Sequence, residues 1–174
     1  MVKQQIRDYW RLFCSLLFSF LYAPHLLIVI IMDKKMIFSD ILRMRTHEHI
    51  KLGKWTGLIF FLHTNSYFRT LFYHRIGAIP ATLIGWYRPG NRYFTISFTT
   101  KIGAGMLLSH PYATILNAES IGENFSCIHC TTLGAKSNGR PVIGDNVSLG
   151  ASVTIVGHVR ICLLYTSDAA DDRI

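Results

Sequence analysis

The feature that most constrains the fold is an apolar residue that recurs every six positions through the second half of the chain. The recurrence comes in three runs, which are Ile96, Ile102 and Leu108; Ile115, Ile121, Cys127 and Leu133; and Ile143, Leu149, Ile155 and Ile161. A six-residue period fits neither an amphipathic helix nor an alternating strand. It is typical of a triangular parallel β-helix, in which each hexad forms one short strand and a corner. We therefore predict that these side chains point into a prism.

The period ends after Ile161, and the last residues follow a different pattern. Residues 162–174, CLLYTSDAADDRI, continue neither the hexads nor an amphipathic helix. They resemble translated read-through of a sequencing-library adapter, and such segments are set aside before fold reasoning. A genuine polar tail is the alternative. On the first interpretation the β-helix stops without a cap, so we expect residues 1–161 to be a fragment whose exposed last coil favours aggregation.

The basic charge of the chain is concentrated in its first half. Residues 1–92 hold 13 basic and 4 acidic residues, within a chain of net charge +8. A basic half of this kind suits anionic lipid headgroups or phosphate-bearing ligands. No helix-turn-helix, zinc-finger or RNA-binding signature accompanies it, so we expect no nucleic acid among the partners.

The cysteines indicate a reducing compartment. Outside the suspect tail the chain has Cys14, Cys127 and Cys130, and an odd, scattered set of this kind forms no disulfide framework. Cys127 and Cys130 have the spacing of a CxxC motif, but Cys127 occupies an inward hexad position. We therefore interpret Cys127 as a small core residue and expect a cytoplasmic protein.

Residues 12–32 form a stretch of 21 residues without a formal charge. That length can cross a bilayer as a helix, but Pro24 and His25 interrupt it, and Pro breaks the helical hydrogen-bond ladder. A full span, two half-helices in one leaflet, a helix resting on the membrane and a buried helical hairpin all remain open. A signal peptide is less well supported, because no small-residue cleavage site follows. Contact with the inner face of the membrane through this stretch is one expectation.

The rest of the first half has sequence patterns that are typical of helices. Ser39 and Asp40 are placed to cap a helix, and residues 55–76 form a further helical stretch. The chain thus divides into a helical, apolar and basic domain over residues 1–92, a β-helical domain over residues 93–161 and the tail. The predicted fold class is mainly β with α.

Breaks in the hexad rhythm are where we expect function, because loops on a regular scaffold carry it. The first break is one residue long and holds Ser109, His110 and Pro111. A longer break leaves room for an extruded loop over residues 135–141. His129 lies one hexad before that loop.

Residues 94–161 resemble the hexapeptide-repeat acyltransferases, most closely the serine O-acetyltransferase branch, through the text KIGAGMLLSHPYATILNAESIGENFSCIHCTTLGAKSNGRPVIGDNVSLGASVTIVGHVRI. The LFYHRIG stretch of the first half resembles the front end of bacterial relatives encoded with surface-polysaccharide genes. The resemblance implies a left-handed β-helix, a homotrimer with active sites between neighbouring prisms, and acetyl-CoA as a co-substrate lying along the coils. We expect no metal.

The resemblance also implies a catalytic His after the first full coil, and His110 is the residue that matches it. An imidazole near neutrality can accept the proton of a hydroxyl as its oxygen attacks the thioester carbonyl. Backbone N–H groups of nearby corners can hold the resulting oxyanion. A solvated corner residue is the alternative interpretation of His110.

Departures from the serine acetyltransferase pattern leave the acceptor open between serine and a sugar hydroxyl. Thr95 and Ser109 stand where that branch has aspartates near its catalytic His, and Arg140 stands where it has a second His that helps to bind the amino acid. Arg is always charged and can hold a carboxylate or phosphate through two hydrogen bonds. We predict acceptor binding by Ser109, His129 and Arg140, with a structural role as the alternative for His129.

The CoA moiety is expected along corners that carry small residues. Gly134, Gly150 and Ala151 let the pantetheine arm lie close to the backbone, and Ala135 lies beside them. Lys136 can reach a CoA phosphate, with a solvated loop lysine as the alternative.

Two other classes of protein compete with this interpretation. A zinc carbonic anhydrase on the same prism needs a closely spaced His pair, whereas His110, His129 and His158 lie 19 and 29 residues apart. A non-catalytic β-helical adaptor that docks on a membrane through its basic half is the second, because a fold by itself does not prove a site. We expect an O-acetyltransferase that serves cysteine or surface-polysaccharide biosynthesis.

Overall fold

The structure is a computed structural model that describes residues 2–162 and 166–167. Its first half is helical, as predicted. The helices are α1 (Val2–Leu17), α2 (Ala23–Ile31), α3 (Lys35–His47), α4 (Lys54–Thr64), α5 (Ser66–Ile76) and α6 (Ala78–Gly85), with a 3-10 turn (Ser19–Tyr22) between α1 and α2.

The second half winds into a parallel β-helix, which confirms the fold that the hexads predict. Its strands are β1 (Phe94–Ile96), β2 (Lys101–Ile102), β3 (Leu107–Leu108), β4 (Thr114–Leu116), β5 (Ser120–Ile121), β6 (Ser126–Cys127), β7 (Thr132–Gly134), β8 (Val142–Ile143), β9 (Ser148–Leu149), β10 (Thr154–Val156), β11 (Arg160–Ile161) and β12 (Thr166–Ser167). They form three faces, in the orders β1-β4-β7-β10, β2-β5-β8-β11 and β3-β6-β9-β12. Each coil therefore contributes one strand to each face.

Most of the predicted inward positions do line the prism. Ile96, Ile102, Leu108, Ile121, Cys127, Leu133, Ile143 and Leu149 are all buried. Ile155 and Ile161, in the last coil, are half-buried. The apolar hexad residues thus form a continuous column, and their removal from water is the main stabilising contribution to this half.

Ile115 was predicted to point into the prism, and that prediction is wrong, because its side chain is 48% exposed. The inward residues of β4 are Thr114 and Leu116, and Leu116 pairs with Ile96 in one direction and with Leu133 in the other. The preceding corner is longer than a regular hexad corner and shifts the strand by one position. A shift of one residue turns every side chain of a strand to the opposite face.

Of the suspected tail, the structure describes Cys162, Thr166 and Ser167. The last two form β12, which runs parallel to Ser148 and Leu149 of β9 and so continues the third face of the prism. The interpretation of residues 162–174 as adapter read-through stays a prediction, and most of those residues lie outside the described part of the chain.

The helical half has an apolar core of its own. Its large, fully buried side chains include Tyr22, Ile41, Leu58, Phe61, Phe68 and Phe72. Ser39 and Asp40 were predicted to cap a helix, but both lie inside α3, which begins at Lys35. The carboxylate that accepts a backbone N–H at the start of α3 belongs to Asp33, which bonds the amide of Lys35 at 3.0 Å.

Among the described residues, no single helix is long and apolar enough to cross a membrane. The segments Tyr9–Leu17 and Ser19–Ile31 reach the required length and composition together, but they are bent by 66°. The bend lies between Leu17 and Ser19, just before the 3-10 turn, rather than at Pro24. Pro24 occupies the first turn of α2, where a missing N–H removes no helical hydrogen bond.

Candidate functional site

The corner between the third and first faces carries one group of the predicted site residues. Ser109 and His110 lie in this corner on the first coil, His129 on the second, and Gly150 and Ala151 on the third. Successive coils of a solenoid stack directly on one another, so this group forms one column along the prism.

Backbone hydrogen bonds tie the corners of this column together. The amide of Cys130 donates to the carbonyl of Tyr112 at 2.8 Å, and the amide of Ser152 donates to the carbonyl of His129 at 3.1 Å. The first pair joins the His110 corner to the second coil, and the second pair joins the second coil to the third. The column is therefore a rigid part of the scaffold.

His110 has an unusual backbone conformation within its corner. Ala113, Cys130 and Ser152 occupy equivalent positions on the three stacked coils, and all have a positive φ. His110 is an additional left-handed residue, with φ of +51°, that the expanded first corner introduces. Non-glycine residues adopt this conformation at a cost, which makes it a frequent mark of functional positions. The turn leaves the His110 side chain exposed.

A cleft of about 320 Å³ separates the His110 corner from the helical half. The prism side of the cleft is formed by Leu108, Ser109 and His110. The helical side is formed by Arg11 of α1, His47 and Glu48 at the end of α3, and the α4–α5 junction over residues 64–67. Sequence reasoning missed the helical side, because these residues lie far from His110 in the chain and carry no motif.

Groups of both charges line the cleft together with His110. Glu48 contributes a carboxylate and Arg11 a guanidinium, and both make further interactions with the protein. The resemblance placed Thr95 where an acidic partner of the catalytic His would stand. Thr95 instead lies on the outer side of β1 and lines a second, more open cavity beside Trp86. Glu48 thus places a carboxylate in the His110 cleft, and it comes from the helical half rather than from the hexad repeats.

The remaining predicted site residues lie at a different corner, between the first and second faces. Gly134, Ala135 and Lys136 lead into the extruded loop there, and the amide of Lys136 donates to the carbonyl of Gly139 at 2.9 Å. Arg140 donates from Nη1 to Thr99 Oγ1 at 2.6 Å, on the first coil. Within one chain, Arg140 and Lys136 therefore do not share a cleft with His110.

A buried histidine in the helical half belongs to a structural network rather than to the cleft. His25 is fully buried, and its Nε2 lies 3.0 Å from the hydroxyl of Tyr73. Burial lowers the pKa of His25 to about 4, and the nearby charges of Arg69 and Arg88 act in the same direction. No group of three or more His, Cys, Asp and Glu side chains that could hold a metal ion occurs within the described residues.

Together these features define a class of protein, a helical domain followed by a left-handed parallel β-helix with a histidine-bearing expanded corner. Solved structures with this fold include the serine acetyltransferase of Neisseria gonorrhoeae in complex with serine, at a TM-score of 0.56 and 25% identity over 73% of this chain and 56% of that one. Serine acetyltransferase isoform 3 of Entamoeba histolytica, in complex with cysteine, matches at a TM-score of 0.51 and 17% identity over 81% of this chain and 61% of that one.

The similar curated sequences are also named serine acetyltransferases. Probable serine acetyltransferase 1 of Oryza sativa subsp. japonica is 43% identical over 65 residues, which are 34% of this chain and 22% of that protein. Serine acetyltransferase 4 of Arabidopsis thaliana is 41% identical over 66 residues, 35% of this chain and 19% of that protein. The chain thus spans about a fifth of the length of these relatives, and no family model matches it. The similarities support the resemblance to hexapeptide-repeat acyltransferases.

Proposed function

We propose that the protein is an acetyl-CoA-dependent O-acetyltransferase, with the hydroxyl of serine as the first candidate acceptor. One observation carries the proposal. His110 is held in a left-handed turn at the edge of a cleft, on a β-helix similar to those of serine acetyltransferases. The cleft is open to solvent at His110, so an acceptor can reach the imidazole.

The proposed reaction moves one acetyl group and one proton. Neutral His110 accepts the proton of the acceptor hydroxyl while the hydroxyl oxygen forms a bond to the thioester carbonyl carbon. Backbone N–H groups of the neighbouring corners hold the oxyanion of the tetrahedral intermediate. The intermediate then breaks its carbon–sulfur bond, and the departing CoA thiolate takes the proton from the His110 imidazolium.

We assign to Glu48 the carboxylate role that Thr95 and Ser109 cannot fill. A carboxylate close to an imidazole favours the imidazolium that forms during proton transfer. Glu48 lines the same cleft as His110. This assignment explains how the chain can retain acid–base chemistry without the aspartates of the serine acetyltransferase pattern.

A homotrimer would bring the two groups of site residues together. His110 lies at one corner of the prism, whereas Arg140 and Lys136 lie at another. If neighbouring prisms pack corner to corner around a threefold axis, Arg140 of one subunit can hold a carboxylate of the acceptor, and Lys136 can meet a CoA phosphate. Gly134, Ala135, Gly150 and Ala151 would then border the path of the pantetheine arm.

A sugar hydroxyl is the second candidate acceptor, and one structural observation favours it. Helix α1 lines the His110 cleft through Arg11 and also exposes apolar side chains such as Trp10 and Phe13. A cleft beside such a surface suits an acceptor carried at a membrane, as the units of surface polysaccharides are.

The test is the release of CoA thiol from acetyl-CoA by the purified protein, with L-serine and a panel of sugars as acceptors. Thiol release that depends on serine, with O-acetylserine as the product, is the expected result. Release with a sugar but not with serine would assign the second function. The absence of thiol release with every acceptor would contradict acetyl transfer and favour the non-catalytic adaptor.

A further inference from the structure

We propose that the helical half docks on the surface of an anionic membrane through one face of the bent segment over residues 9–31, without crossing the bilayer. This inference is independent of acetyl transfer, because it rests on the surface of α1, the 3-10 turn and α2.

The proposed docking face is rich in exposed apolar side chains. These side chains recur at helical spacing, as Tyr9, Trp10, Phe13, Leu16 and Leu17 on the first arm of the bend and Phe20, Leu27, Ile30 and Ile31 on the second. Phe20 is 67% exposed and Ile31 is 76% exposed. Large exposed apolar patches are rare on soluble monomers, and where they occur they mark interaction surfaces.

The opposite face of the same segment packs against the rest of the protein. Ser15, Tyr22, His25 and Val29 have no exposed surface. The hydroxyl of Tyr22 accepts a hydrogen bond from Arg88 Nε at 2.8 Å, and His25 is bonded to Tyr73. A membrane span would have to break these bonds and straighten the 66° bend. The segment is therefore built to lie in the plane of the interface, with its outer side chains among the acyl chains.

The surroundings of the face identify the kind of lipid. Lys34, Lys35, Lys51 and Lys54 are exposed near the end of α2 and the starts of α3 and α4. The Nζ of Lys34 lies 5.7 Å from the centre of the half-exposed Trp55 ring. Tryptophan and lysine side chains of this kind favour the headgroup layer, and each lysine near an anionic surface strengthens binding.

The same charges disfavour a second copy of this chain as the occupant. Two such faces packed against each other would bring together two helical halves that each hold 13 basic and 4 acidic residues over positions 1–92, and like charges repel. Asp33 lies beside Lys34 and Lys35 in the sequence, and Glu48 lies three residues before Lys51, so the lysines outnumber the carboxylates in these two segments. Charge complementarity thus selects an anionic bilayer.

Sedimentation with vesicles tests the proposal. Wild-type protein is mixed with vesicles of phosphatidylcholine alone, or of equal parts phosphatidylcholine and phosphatidylglycerol. We expect binding to the mixed vesicles that weakens with salt, because the Debye length shortens. Phe20→Ser combined with Ile31→Ser should abolish binding, whereas Val159→Ser, an exposed apolar residue of the β-helix, should not.

A charge-reversed variant gives a second, independent readout. Lys34→Glu combined with Lys35→Glu should weaken binding to the mixed vesicles by about tenfold or more, and Lys101→Glu on β2 should leave it unchanged. All these side chains are exposed, so each variant should retain the melting temperature of the wild type.

Three results would overturn the proposal. The first is wild-type binding by the folded Phe20→Ser and Ile31→Ser double variant. The second is a lower oligomeric mass for that variant in lipid-free solution together with no vesicle binding by the wild type, which would make the face an interface between copies. The third is resistance of the membrane-bound protein to alkaline carbonate extraction, which would show a span.

Discussion

The Asp40 carboxylate of α3 and the Arg75 guanidinium of α5 form a buried ion pair with two hydrogen bonds, of 2.9 and 3.1 Å. The pair also fastens the helical half to the first coil of the β-helix. Arg75 donates to the carbonyls of Ile102 and Gly103, each at 2.6 Å, and Asp40 accepts the amide of Met106 at 2.7 Å. The junction thus holds the helical half against the same coil whose last corner carries His110.

Replacing Asp40 should destabilise the protein strongly. Burial raises the pKa of the Asp40 carboxyl, while the Arg75 guanidinium and the Met106 amide oppose that shift. Asp40→Asn would leave the Arg75 charge buried without its partner, and we expect a loss of about 3–5 kcal/mol of unfolding free energy. Chemical denaturation measures this loss. Glu119→Gln, at an exposed carboxylate, is the matched control, and equal losses in the two variants would contradict the role of the pair.

Acid should destabilise the fold through His25. The pKa of His25 is about 4 in the folded protein, below the ordinary value of 6.5, because the imidazole is buried. Above pH 6.5 the imidazole is neutral in both the folded and the unfolded protein. Its burial then takes nothing from the free energy of unfolding through protonation. As the pH falls from 6.5 to 4, the unfolded state gains the proton first, and the protein loses about 3 kcal/mol of stability.

A variant separates His25 from other acid-sensitive groups. Burial also lowers the pKa values of His63 and His74, so His25→Gln should reduce the slope of stability against pH without removing it. His158→Gln, at an exposed site, is the matched control variant. Denaturation curves at several pH values provide the measurement, and a slope for His25→Gln parallel to the wild type would refute the assignment.

Two glycines of the β-helix should differ sharply in their tolerance of alanine. A Cβ at Gly122 would lie 2.5 Å from the backbone carbon of Gly144, so the stacked corners would have to move apart. A Cβ at Gly134 would meet Val156 at an ordinary 3.5 Å. We expect Gly122→Ala to cost about 2 kcal/mol or more, with Gly134→Ala within about 0.5 kcal/mol of wild type.

The same pair of variants tests the expected CoA path. If the pantetheine arm passes close to Gly134, the well-folded Gly134→Ala protein should show a raised KM for acetyl-CoA. A normal KM would remove Gly134 from the predicted cofactor site, and similar melting temperatures for the two glycine variants would contradict the packing argument.

The cysteines of the CxxC sequence should react at very different rates. Cys127 points into the prism, and burial raises the pKa of its thiol to about 12, which leaves it protonated and unreactive. Cys130 is exposed. Iodoacetamide followed by mass spectrometry should find native protein alkylated at Cys130 and not at Cys127, until denaturant is added. Equal labelling in the native state would mean that Cys127 is not a core residue.

Glu48 should matter for turnover rather than for folding. If its carboxylate supports the His110 imidazolium, Glu48→Gln should lower kcat by about tenfold or more and alter the pH dependence of kcat, with KM for acetyl-CoA unchanged. Glu119→Gln serves again as the control. A wild-type pH profile in the Glu48 variant would show that the glutamate only lines the cleft.

The hexads made the β-helix predictable because each apolar residue meets its equivalent on the next coil, and this requirement leaves a period in the sequence. It also explains the error at Ile115. The sequence shows that the corner before Ile115 is longer, but only the pairing of Leu116 with Ile96 and Leu133 shows which residues the strand turns inward.

The helical side of the cleft and the domain junction could not be predicted in the same way. Glu48 reaches the His110 cleft, and Asp40 reaches Arg75 and Met106, through contacts between segments far apart in the chain. Asp40 has the residue type of a helix cap and was interpreted as one, since a local pattern cannot distinguish a capping carboxylate from one in a buried ion pair. His110 became a candidate because its corner interrupts a period and because it matches the catalytic His that the resemblance implies.

The most direct test of acetyl transfer at His110 is the turnover number of His110→Ala, measured by CoA thiol release with the acceptor that the wild type uses. His158→Ala, which removes an exposed imidazole at another corner, is the matched control. If His110 is the general base, kcat should fall by about 10² to 10⁴ in a protein of unchanged melting temperature, with His158→Ala as active as wild type. A kcat for His110→Ala within a few-fold of wild type would contradict the central role of His110.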